Sequence, residues 1–252
     1  MSTIKLSTRQ DWMDHWKKHA LVRLIPETFI YSDLIKRAVS AAGGSGKSLE
    51  LGGFPGSFSV YLKKYCAMDV ALLDYVVDHN IVAELFKVNG LGSGDIKIIE
   101  ADVFALESQE NYDLVCSFGF IEHFTDLKQV LRAHLKFMRP GGILLMTLPN
   151  FRGVNGWIQK IFDPKTLAIH NLKIMNLELL GHALSTLGLQ DLRVEYYPST
   201  SIWLEGLSSR NFIIRLIIRV VNKSISLLAK VFGRKSRWFS DAIFVLAKKP
   251  LP

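Results

Sequence analysis

The chain has 252 residues and only two cysteines, Cys66 and Cys116. Neither belongs to a CxxC pair or a Cys/His cluster, which argues against a disulfide framework and against a zinc site. No metal site is expected. Two reduced thiols in a chain of this size fit a cytoplasmic compartment. No apolar run is long enough to cross a bilayer without meeting a charge. The first residues, MSTIKLSTRQDWMDHWKKH, lack an apolar core, so no signal peptide is expected. There is no internal repeat and no low-complexity tract. Acids are also in short supply, 23 against 31 Lys and Arg, giving a net charge of +8. That surplus points to an anionic partner, a membrane surface or nucleic acid, and says nothing of fold. Hydrophobic residues are abundant, 49% against 21% charged. A sizeable core is therefore affordable and global disorder is excluded.

Hydrophobic periodicity predicts helices over 7–20, 29–42, 57–65, 80–88, 126–138 and 176–187. Ser7 reads as the first N-cap, with Trp12 and Trp16 one turn apart, and Gly43-Gly44 stops the second helix. Strands are predicted over 48–51, 69–74, 96–101, 112–117, 143–148, 192–196 and 242–248. Alternating strands and helices imply an α/β fold, a doubly wound, mostly parallel sheet with helices on both faces.

Two glycine motifs compete within 41–59. AAGGSGKS fits a loose phosphate-loop pattern, and ELGGFPG fits a nucleoside-binding turn. A phosphate loop lies between a strand and a following helix, whose N-terminus cradles the phosphates. AAGGSGKS has the inverse order, helix then strand, and reads as a helix stop plus a link. ELGGFPG has the right order, with SLEL the strand, GGFPG the turn and SFSVYLKKY the helix. A turn at the carboxyl end of the first strand is where open α/β sheets bind ligands.

This stretch resembles the ExGxGxG motif of class I S-adenosylmethionine-dependent methyltransferases. Glu50, Gly52 and Gly56 match, Gly53 lies within the turn, and Phe54 replaces the middle glycine. Pro55 biases Phe54 towards an extended backbone, which would turn its side chain away from a ligand. Further on, YDLVCSFGFIEHF and DLKQVLRAHLKFMRPGGILLMTLPN resemble the family's fourth strand, EH motif, fifth helix, turn and fifth strand. The resemblance runs over 48–150. It implies a Rossmann-like seven-stranded sheet with its last strand antiparallel, and methyl transfer from S-adenosyl-L-methionine.

The resemblance also implies roles. Asp74, ending the second strand, is placed to accept the ribose hydroxyls. Asp102 would read the adenine amino group, with a neighbouring amide at Val103 on the ring. Ser117 and Phe118 would line the methionine and sulfonium part of the pocket. His123 is the candidate base for an acceptor hydroxyl or, alternatively, a residue that closes the pocket, with Glu122 orienting it or simply solvated. Trp12, Trp16 and Tyr31 read as a lid on the substrate side or as core packing. Arg152, in the segment after the fifth strand, is a candidate to pair an anionic acceptor or else a solvated arginine of a surface loop, and His170-Asn171 is a candidate to reach the acceptor pocket.

Between the sixth and seventh predicted strands lies RNFIIRLIIRVVNKSISLLAKVFGRKSRW. Arg215, Arg219 and Lys223 recur every four residues, with Lys230 and Arg234 continuing the face. A basic stripe on a broad apolar helix suggests an interfacial membrane helix over 211–232, or alternatively a dimer interface. Its aliphatic character argues against nucleic acid. The expected organisation is N-terminal lid helices (1–47), a methyltransferase domain (48–206 and 238–252) and an amphipathic basic insert (207–237). The expected acceptor is a small molecule or a lipid- or glycan-linked one, methylated on a hydroxyl at the cytoplasmic face of a membrane. Two rivals remain at this point: a degenerate relative serving as a binding scaffold, and a nucleotide-dependent enzyme using the Lys47 loop.

Overall fold

The computed structural model describes residues 5–19, 22–107, 111–202, 204, 206–207, 210–233 and 235–251. Seven strands form one sheet: β1 (Lys47–Leu51), β2 (Asp69–Asp74), β3 (Ile96–Glu100), β4 (Tyr112–Phe118), β5 (Met138–Pro149), β6 (Gln190–Tyr196) and β7 (Ala242–Lys248). Their order is β3-β2-β1-β4-β5-β7-β6. β1 to β5 pair in parallel, while β7 runs antiparallel between β5 and β6. The sheet is thus Rossmann-like, as the resemblance implies. The chain reverses direction of travel across the sheet between β1 and β4, the switch point where such sheets open a crevice.

Side chains alternate faces along each strand. Ala71, Leu73, Leu49, Leu51 and Val115 face one core, with Val130 and Leu131 of α5 (Leu127–Leu135) and Leu180 and Leu184 of α8 (Leu177–Thr186). Val70, Leu72, Leu114 and Cys116 face the other. That core is covered by α2 (Ser32–Ala41), α3 (Ser57–Cys66) and α4 (His79–Val88). Both cysteines are buried free thiols. The region 1–47 is therefore not one lid. α2 belongs to the sheet's core layer through Leu34, Ile35, Ala38 and Val39, while α1 (Arg9–His19) reaches the strand ends through Arg9 to Glu100 and Trp12 to His123.

Several boundaries differ from expectation. Thr8, not Ser7, caps α1: its hydroxyl accepts the Asp11 amide at 3.1 Å while Asp11 accepts the Thr8 amide at 2.8 Å, a reciprocal capping arrangement. Ala20, expected to end that helix, and Arg234 of the insert fall outside the described residues. The second helix starts at Ser32, because Tyr31 sits in the left-handed region at φ 58°. β5 begins at Met138, paired with Tyr112, and runs through the Pro-Gly-Gly expected to be a turn. The segment after β5, expected to be a loop, forms α6 (Val154–Phe162) and α7 (Pro164–Ala168). The insert is helical as expected, α9 (Phe212–Phe232). A third cluster joins its Ile218 and Ile225 to Ile202, Leu204 and the α6 residues Val154, Ile158 and Phe162. Among the described residues, no helix is long and apolar enough to cross a membrane.

Candidate active site

The turn Gly52–Gly56 leaves β1 at the crevice. Gly52 adopts φ 66°, and a Cβ there would fall 2.2 Å from the Phe120 ring, so only glycine fits. Glu50 is buried beneath the turn, and its Oε2 accepts the Ser59 hydroxyl at 2.5 Å. Burial pushes its carboxyl up to about 8. Asp74 accepts the Phe54 amide through Oδ2 and the Val76 amide through Oδ1, both at 3.0 Å. Burial raises it to about 6 against the opposing effect of those amides. Asp74 therefore holds the β1 turn and presents a carboxylate to the crevice at once. The Phe54 ring is packed in the core and meets the Trp16 edge at 5.4 Å. The AAGGSGKS segment leads straight into β1, with no helix N-terminus behind it.

Beyond β3, Asp102 accepts the Phe104 amide at 3.0 Å and pairs with Lys5 at 2.5 Å. Lys5 also lies 3.8 Å above the Tyr75 ring. Val103 is buried beside it, and its carbonyl accepts Lys136. Arg9 of α1 pairs with Glu100, and the Leu6 amide donates to the His123 carbonyl at 2.9 Å. The N-terminal segment is thereby tied across the ends of β2, β3 and β4. Trp12 meets the His123 ring edge-on at 4.8 Å and stacks on Trp16.

β4 ends in Ser117 and Phe118. The Ser117 hydroxyl is turned into the core, 3.0 Å from His134 Nε2, so its backbone is what is left to line the crevice. Phe118 stacks on Phe58 at 3.8 Å and on Tyr31 at 6.3 Å. Burial raises the Tyr31 hydroxyl, with Asp241, Tyr197 and Glu122 adding to the effect and Thr147 opposing it as a hydrogen-bond partner. Tyr31 thus joins the aromatic wall near Glu122.

Glu122 and His123 lie in a 3-10 turn, Ile121–His123. Both are buried. His123 Nδ1 lies 3.0 Å from the Ile169 carbonyl, which must receive an N–H, so the ring's lone pair is on Nε2. Burial, reinforced by His170, drives the imidazole down to about 3, so it is uncharged. His170 stands 4.6 Å from it, ring to ring. Glu122 is not solvated: burial pushes its carboxyl up to about 8, and Oε2 has no hydrogen-bond partner. Arg152 follows β5, and its charge bears on Tyr196 at the end of β6 rather than on the His123 group. The close approach of Glu122, His123 and His170 has only a faint sequence signal, the His170-Asn171 pair.

The model of a methyltransferase-domain family matches residues 22–194, more than half of the chain. No curated protein matches it by sequence. Among solved structures, a SAM-dependent methyltransferase from Archaeoglobus fulgidus is similar in fold, at 20% identity and TM-score 0.55, over 86% of this chain and 92% of that one. The phosphoethanolamine N-methyltransferase 2 of Haemonchus contortus, in complex with S-adenosyl-L-methionine, aligns with TM-score 0.60 and 18% identity. That alignment covers 86% of this chain but 52% of the other, so this chain spans about half of that protein. Family match, strand order and the β1 turn agree: the chain belongs to the methyltransferase-domain family, built on the sheet of the S-adenosylmethionine-dependent methyltransferases.

Proposed function

We propose that this methyltransferase methylates a hydroxyl oxygen of a small-molecule or lipid- or glycan-linked acceptor, bound between Tyr31 and His123. The crevice fits its cofactor, S-adenosyl-L-methionine. Asp74 is a buried carboxylate at the end of β2 with lone pairs left for a vicinal diol, and the Gly52 turn leaves backbone where a side chain would intrude. Glu50 supports that turn from below, and Asp102 with Val103 borders the adenine end. When bound, the cofactor supplies an electrophilic methyl carbon on a sulfonium.

The chain's own residues then align and protect. Trp12 and Trp16 cover the crevice and exclude water, which would compete as a nucleophile. Tyr31, Phe58 and Phe118 form an aromatic wall suited to a sulfonium. The acceptor's O–H points at His123 Nε2. As the acceptor oxygen takes the methyl carbon that the cofactor would supply, leaving the bond's electron pair on sulfur, the hydroxyl proton would pass to His123 Nε2. One observation carries this assignment: the Ile169 carbonyl fixes the His123 tautomer, leaving a buried, uncharged lone pair beside the crevice. The test is His123→Ala. Turnover should fall about 10²–10⁴-fold, the usual contribution of a general base, with cofactor affinity nearly unchanged. If affinity alone falls, His123 only closes the pocket.

The surface favours a lipid-borne acceptor at an anionic membrane face. α9 buries Ile218, Ile225 and Ala229 but exposes Phe212, Ile213, Leu216, Ile217, Val220 and Leu227. Trp157 and Ile161 of α6 are exposed as well. Arg215, Arg219 and Lys223 run along one edge of the exposed α9 face, where they can reach headgroups while the aliphatics enter the acyl boundary. α6 and α7 connect this surface to the His170 side of the crevice. A helix lying flat needs no membrane span.

A further inference from the structure

We propose that Glu122, His123 and His170 bind a divalent first-row transition cation, Zn2+ by its donor set. The location deepens the hydroxyl reading, since it rests on the acceptor lying at His123. It changes how His123 acts there, through a bound cation instead of directly. One ligand atom from each of the three residues lies within 4.8 Å of the other two. Tetrahedral bonds of about 2.0–2.2 Å set ligand atoms roughly 3.3 Å apart, so small side-chain rotations close the set.

Both imidazoles are already oriented as ligands. His123 Nδ1 faces the Ile169 carbonyl at 3.0 Å and His170 Nδ1 faces the Thr166 carbonyl at 2.5 Å. Each Nδ1–H donates outward, so each lone pair is on Nε2. Metal-bound histidines are held in this way by a carbonyl on their far nitrogen. The two segments that carry the ligands are fastened to each other. The Asn171 amide donates to the Glu122 carbonyl at 2.6 Å, and Asn171 Nδ2 donates to the Phe124 carbonyl at 2.9 Å. The Phe151 ring packs against His170 at 5.1 Å. The site is thus built before any ligand arrives.

Glu122 supplies an independent reason. Its Oε2 is buried with no hydrogen-bond partner. A buried polar atom left so is costly. A dication held by the two imidazoles would satisfy that carboxylate. Two imidazoles and one carboxylate, with further positions open, is a donor set used for zinc and for non-haem iron(II). The open positions would take oxygen atoms of the acceptor or water.

Tag-free protein, stripped with a chelator, is titrated with Zn2+ by calorimetry and followed by thermal melting. One equivalent should bind per chain and raise the melting temperature. His170→Ala and Glu122→Gln should each weaken binding at least about 10–100-fold, the loss already caused by changes one shell further out. His182→Ala, an exposed histidine on α8, should bind as wild type does. Should either ligand variant fail to fold, Co2+ added to the wild type should give visible ligand-field bands of one bound ion. The site is refuted if the wild type binds no stoichiometric Zn2+ and shows no such bands, or if folded His170→Ala and Glu122→Gln proteins bind as tightly as wild type. Such a failure leaves hydroxyl methylation standing, because that is read from the product. A product methylated on nitrogen would overturn the hydroxyl reading and leave the titration result intact.

Discussion

Replacing Asp74 isolates the cofactor-binding half of the crevice. Its carboxylate oxygens accept the Phe54 and Val76 amides at 3.0 Å, and the ribose hydroxyls would take the acceptor capacity that remains. A hydrogen bond to a charged group contributes about 1.5–3 kcal/mol. Asp74→Ala should therefore weaken S-adenosylmethionine binding about tenfold to a hundredfold, as measured by calorimetry. A pH series sharpens the test. Burial holds the carboxyl at about 6, and the ionised form is the better acceptor. Affinity should be flat above about pH 6 and fall by up to about tenfold per unit below it. Asp74's contribution to stability runs the other way. Its pKa is higher in the folded chain than in the unfolded one, so that contribution is full at low pH and is lost as pH rises through about 6. Loss of affinity through Asp74 protonation is then not unfolding driven by Asp74. Wild-type affinity in folded Asp74→Ala protein, or an Asp74→Asn protein with the wild-type pH profile, would refute the reasoning.

Gly52→Ala should be destabilised by about 1–3 kcal/mol from overpacking against Phe120, with roughly 1 kcal/mol more from the left-handed backbone. A melting temperature within a degree of wild type would contradict the tight turn. Liposome flotation tests α9. Binding should rise with anionic lipid and fall with salt. Arg215→Glu with Arg219→Glu should cost about 4 kcal/mol, since two attractions of about 1 kcal/mol each become repulsions. A protein that ignores liposomes and forms a dimer broken by these changes would make α9 an oligomer interface instead.

Much of the sheet is legible in sequence because its central strands are buried on both faces. DVALLD and YDLVCSF are short apolar runs between polar bounds, and they became β2 and β4. β5 is longer than its apolar run because pairing carries it further. Met138 faces Tyr112, and Gly141 and Gly142 exchange hydrogen bonds with Lys249, contacts from distant sequence. α6 was hidden by Asn155-Gly156 near its start. A Cβ on Gly156 would fall 1.8 Å from the Phe151 carbonyl, so a poor helix former is required there by close packing. The β1 turn and Asp74 show in the sequence through strand–turn–helix order. The Ser117 hydroxyl's inward turn does not, since it depends on where His134 of α5 lands. Nor does the trio of Glu122, His123 and His170, which only the packing of α7 against the 3-10 turn brings together.

The central claim is methyl transfer to a hydroxyl at His123. Its most direct test is incubation of the enzyme with S-adenosylmethionine carrying a deuterated methyl group, together with membrane and soluble extracts, followed by mass spectrometry of both fractions. The account predicts one deuterated methyl on an oxygen of a lipid- or glycan-linked product, formed by the wild type and nearly absent with His123→Ala. A label found on nitrogen, or formed equally by both proteins, would contradict it.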